Sequence, residues 1–169
     1  AAGLTSLALM GNYTYFGTSA TALRNGADWL AVPLCGVAGG LAGGLFSRIL
    51  IAMARGFANP IGRTIKSYPV GFAAICGFAA AICGIASDGA VYGTGYQQVK
   101  SALEAGSQLP GSFSVWKFLA TTFASISGMP GGIFAPSLAV GAGLGSNIAP
   151  LFHGAPLPAM MLLGMVSYF

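Results

Sequence analysis

Residues 128–136, GMPGGIFAP, place three glycines and two prolines in an apolar run, and from 118 to 169 there is no Asp, Glu, Lys or Arg. These residue types bring no acid, base or nucleophile. What they can offer is backbone. Gly131 and Gly132 let a chain turn while keeping side chains out of the way, and Pro136 suits the first turn of a following helix, where its missing N–H costs nothing. The helix start that follows then presents free N–H groups and the positive end of the helix dipole. With Ala135 completing the turn, the stretch predicts an anion site made without any basic side chain. Dipoles suit a mobile ion, because a full opposite charge at depth would hold it too tightly for release.

Other chemistry finds no such grouping. Asp28, Asp88, Glu104 and His153 are scattered along the chain, so neither an acid–base pair nor a metal set is expected, and no enzyme or cofactor is implied. GAGLGS at 141–146 lacks both the GxGxxG spacing and the Lys-Ser/Thr pair of a phosphate loop. His153, beside the apolar GAPLP, reads as an interfacial histidine. Cys35, Cys76 and Cys83 fall in apolar windows, odd in number and with no CxxC, and are expected as small buried hydrophobes.

The elements that must position such a backbone site are set by composition. The 169 residues are 55% hydrophobic and 6% charged, with mean hydropathy +0.77, against roughly 25% charged in an ordinary soluble domain. The charge-free windows 1–23, 29–47, 67–87 and 118–169 each match or exceed the length a helix needs to cross hydrocarbon. An integral, multi-pass, all-α membrane protein follows, with the lipid bilayer as its first partner. The net charge of +4 draws on Arg48, Arg55, Arg63 and Lys66, which mark a membrane-flanking connection. No solvated basic face with interleaved aromatics exists for nucleic acid.

Along the chain, GNYTYFG at 11–17 reads as a span ending at an interface. Asp28 is expected to cap a helix through WLAVPLCGVAGGLAGGLFSRIL, with Pro33 near its start. Gly36, Gly40 and Gly44 repeat every four residues, as do Gly39 and Gly43, so one helical face is stripped of side chains for close helix packing or a subunit interface. NPIG at 59–62 predicts a turn, and Ser67 a cap for a third helix with Pro69 in its first turn and a left-handed stop at Gly89. From Tyr96 a short amphipathic helix puts Gln97, Lys100, Ser101 and Glu104 on one face, with Lys100 and Glu104 able to pair. Ser112 or Ser114 starts a helix of only about fourteen residues before Gly128 and Pro130, and another short stretch, glycine-spaced at Gly141 and Gly145, follows the motif. Neither is long enough to span. Broken backbone at membrane depth must be buried in protein or line a solute path, since unpaired N–H and C=O groups are too costly in lipid.

GMPGGIFAPSLAVGAGLGS resembles the CLC family of chloride channels and chloride/proton exchangers, whose GxFxP signature is matched by Gly132, Ile133, Phe134, Ala135 and Pro136. GNYTYFG, the glycine-rich helix after Trp29 and GTGY before the half-length helix fall in a similar order. The resemblance covers essentially the whole chain, and implies that residues 1–169 are a piece from the middle of a longer membrane domain, from the end of one inverted half to the start of the other. It implies tilted, unequal and broken helices, a homodimer with a pore in each subunit, and a site in a bacterial inner (cell) membrane. It further implies that the amides of Ile133 and Phe134 bind chloride and that the Phe134 ring lines the path. The family's Ser motif, gating Glu and pore Tyr have no counterpart here, so this chain would supply one wall of the pore, in either a channel or an exchanger. Two other readings stand beside it: another secondary transporter with broken helices, and a non-conducting structural membrane subunit.

Overall fold

A computed structural model of the chain describes residues 29–56, 60–129, 131–152 and 154–169, together with Thr5 and Ala8. The described residues are helical with no strand. They form α1 (Ala31–Arg55), α2 (Pro60–Ser67), α3 (Pro69–Ala86), α4 (Tyr96–Ala105), α5 (Phe113–Ile126), α6 (Phe134–Ile148), a 3-10 turn (Ala149–Leu151) and α7 (Leu157–Tyr168). This is the all-α, polytopic class that the composition predicts. GNYTYFG, Asp28, Asn59, Pro130 and His153 lie outside the described residues.

Among the described residues, two helices are long and apolar enough to cross a bilayer, α1 and α3. At 1.5 Å per residue, the 25 residues of α1 extend roughly 37 Å and the 18 of α3 roughly 27 Å. Pro33 lies in the first turn of α1, where no intrahelical donor is lost. The glycines of α1 divide between two stripes. Gly39 and Gly43 join Ala31, Cys35 and Phe46 on the buried face, and a Cβ at either would collide with Ser167 or Tyr168 of α7. Gly36, Gly40 and Gly44 look out on open space, with nothing within 4 Å of where a Cβ would stand.

The start of α3 differs from the reading of NPIG and Ser67. Pro60 is the first residue of α2, and Ser67 ends that helix without capping α3. Tyr68 separates the two at φ −129°, ψ 62°, because the Pro69 ring disfavours helical geometry in the residue before it. A proline at the first helical position then begins a helix with no side-chain cap. The far end of α3 is as expected: Gly89, at φ +80°, donates its N–H to the Gly84 carbonyl at 2.8 Å. All three cysteines are free and buried.

α4 buries Val99, Ala102 and Leu103, and on its outer face Lys100 meets Glu104 at 3.8 Å. A core of Val99, Leu109, Phe113, Ala142, Met161 and Met165 joins α4 to α5, α6 and α7. The turn between α4 and α5 is tied to α6: Ser146 Oγ accepts from the Leu109 N–H at 3.1 Å, and Asn147 Nδ2 donates to the Gly111 carbonyl at 2.8 Å. α6 and α7 cross almost backbone to backbone. A Cβ on Gly141 would stand 2.5 Å from the Gly164 carbonyl oxygen and 2.8 Å from Met165 Cα. Gly145 and Gly164 are shut in the same way, against Met160 and Gly141. The small residues thus hold the half-length α6 in place by direct helix contact.

Candidate anion site at a helix start

α5 and α6 have 14 and 15 residues, roughly 21 and 22 Å, short of a bilayer core. The break between them turns on Gly128, at φ +81°, where a side chain would be strained. Ser127 Oγ caps the end of α5 by donating to the Ala124 carbonyl at 2.7 Å. A Cβ on Gly131 or Gly132 would meet nothing within 4 Å, so both leave open space before the helix start.

Ile133 is the N-cap of α6, and Phe134 its first helical residue. The first bond closing onto the helix runs from the Ser137 N–H to the Ile133 carbonyl at 3.0 Å. No acceptor among the described residues takes the amides of Ile133, Phe134 or Ala135, and Pro136 has no N–H to leave unpaired. These are the orphan donors of a first turn, at the positive end of the helix dipole.

A cavity of about 490 Å³ opens beside them, with Gly131, Gly132, Ile133 and Pro136 along one side. The Phe134 ring is not among its walls. It stands edge-on to Phe169, with ring centroids 4.8 Å apart.

Across the cavity stands a residue that sequence reasoning passed over. Lys117 of α5 is 1% exposed and lines the same cavity. Its Nζ donates to the carbonyls of Val91 at 2.9 Å and Gly93 at 2.6 Å. Gly95 makes room for it: a Cβ there would lie 3.1 Å from Lys117 Cε and 2.8 Å from the Ala139 methyl. Thr121 and Ser125 continue the polar stripe at successive turns of α5 and also face the cavity. A basic side chain thus borders the same cavity as the helix start, tied to two backbone carbonyls. The signal was legible, since Lys117 is the sole charged residue between Glu104 and the C-terminal end, set in the middle of an apolar helix. An ionisable group so placed marks function by default.

No group of three or more His, Cys, Asp or Glu residues that could hold a metal occurs among the described residues. The cavity is bordered by Ile133 at the helix start, by the hydroxyl-bearing Thr121 and Ser125, and by Lys117.

No curated protein and no solved structure matches the chain. A family model described as voltage gated chloride channel matches residues 1–169. That match runs the full length of the chain and includes the broken helix with its free amides. The chain therefore belongs to the voltage gated chloride channel family, a family of integral membrane proteins that transport chloride and are not enzymes.

Proposed function

We propose that this chain forms one wall of a transmembrane chloride path, with the amides of Ile133 and Phe134, and Gly132 beside them, holding the ion at the start of α6. Gly131, Ala135 and Pro136 shape the turn. The observation that carries this reading is the set of unpartnered amides at Ile133, Phe134 and Ala135 at the start of a half-length helix, whose N-cap, Ile133, borders a cavity. Backbone left unpaired at membrane depth needs a ligand or water, and amides at a helix N-terminus favour an anion.

On the same reading, residues 1–169 are a segment of a single transmembrane domain, spanning the end of its first inverted half and the start of its second. The protein is a homodimer with one path per subunit in a bacterial cell membrane. Whether the ion moves passively or in exchange for protons is decided by a gating carboxylate outside this chain.

The test replaces an amide by an ester in the full-length protein. An ester at Phe134 deletes one N–H with little change in shape. A hydrogen bond to a charged group contributes about 1.5–3 kcal/mol, so chloride affinity measured by calorimetry should fall about 10- to 100-fold. An ester at Val140, within the helix, should leave chloride affinity nearly unchanged, as should Ile133→Val, which moves no ligating atom. Equal affinity in the Phe134 ester and the wild type would mean that GGIFAP is only a loop.

A further inference from the structure

We propose that Lys117 is the fixed positive charge of this chloride path, drawing anions into the cavity while held back from ligating them; this rests on the function proposed above. Three observations converge on it. Lys117 is almost wholly buried in an apolar helix, and no carboxylate among the described residues bridges it, the ion pair found there joining Lys100 to Glu104. A buried cation without a counter-charge is strongly unfavourable unless something of opposite sign answers it. It also shares its cavity with the α6 helix start, so a full charge and the positive end of a helix dipole face one space. Both call for an anion, and neither can satisfy the other.

The tether explains how a full charge is compatible with release. An ammonium has three donors, and two of them are committed to Val91 and Gly93 at short distances. Those carbonyls belong to a turn whose glycines, Gly89, Gly93 and Gly95, all take positive φ, and Gly95 leaves just enough room for the lysine stem. Nζ therefore cannot follow an ion along the cavity. Its field raises anion occupancy and repels cations, while two carbonyl dipoles offset part of its pull. Thr121, one turn further along α5, is 6% exposed, and its hydroxyl has no partner among the described residues. The polar stripe thus has hydrogen-bonding capacity that this chain leaves unused.

The experiment uses the full-length protein in detergent, with chloride or gluconate as the anion. Lys117→Gln removes the charge and keeps a donor for the carbonyls. Chloride affinity should fall about tenfold, and the rise in melting temperature that chloride gives the wild type should shrink with it. A folded glutamine variant with wild-type affinity and wild-type chloride shift, alongside a Phe134 ester that still binds weakly, would reduce Lys117 to a structural tie and leave the proposed function standing. If the Phe134 ester also binds like the wild type, the proposed function itself fails. A variant that does not fold leaves a second measurement, bromide anomalous scattering from crystals of the wild type. A bromide peak in the cavity that Lys117 lines supports the proposal. An empty cavity with bromide bound elsewhere, or a carboxylate from another part of the protein seated on Nζ, overturns it.

Discussion

Thr121 keeps a buried hydroxyl with no partner among the described residues, on a helix where the hydroxyls of Thr122 and Ser125 each donate to a carbonyl one turn back. Leaving a buried polar group unpaired costs about 1–3 kcal/mol. Thr121→Val keeps the shape and removes that group, so in chloride-free detergent the variant should melt higher, by about 1 kcal/mol of added stability. A lower melting point would show that the hydroxyl has a partner elsewhere in the protein. At this scale the sequence was legible where chemistry is carried by residue type and local order. GGIFAP announces a helix start whichever way the chain folds, and the cysteines announce burial. Lys117 shows what was not legible. Its meaning depends on two carbonyls more than twenty residues away, brought to it by a glycine turn that no spacing rule connects to α5.

Elements were readable in kind and less so in partnership. The short α4 with its Lys100–Glu104 face, the left-handed stop after α3 and the two half-length helices all follow from local pattern. Which glycine stripe of α1 packs does not, because both stripes have the same period and only the neighbouring helix distinguishes them. The structure gives the contact with α7 to Gly39 and Gly43. Gly40→Leu should therefore leave the packing of α1 on α7 intact and show itself only in association with another helix or subunit. Gly141→Ala should behave differently, since the new methyl would meet the backbone of α7 rather than a movable side chain. Overpacking of this kind costs about 1–3 kcal/mol. Thermal melts of the two variants in one detergent should rank Gly141→Ala well below Gly40→Leu, and an equal ranking would contradict the helix contact described here.

For the whole molecule, the outward face of α3 carries Val70, Ile75, Phe78, Ile82 and Ile85, all exposed, and α1 adds Val37, Leu41 and Leu45. Apolar surface on this scale is what a bilayer or neighbouring transmembrane helices cover. Expressed protein should stay with the membrane pellet through alkaline carbonate washing and enter solution only with detergent. Release by carbonate would contradict the spanning role of α1 and α3. The broad class was legible because low charge and long apolar windows leave a chain no soluble alternative. The arrangement of helices was not, because uniformly apolar segments give little amphipathic contrast to say which side faces protein and which faces lipid.

The tight crossing of α6 and α7 also bears on how the protein is made. The 15 residues of α6 are too few to cross a bilayer alone, and a half-helix with free amides at one end is a poor candidate for separate entry into lipid. Neighbours in the chain and locked through Gly141, Gly145 and Gly164, the two pack as a unit that can leave the translocation machinery as one body. Its contacts are local in sequence, so it can assemble before distant parts of the chain arrive. The glycines that seat α6 in the finished protein would then also act at birth, carrying the unpaired helix start to its depth under the cover of its neighbour.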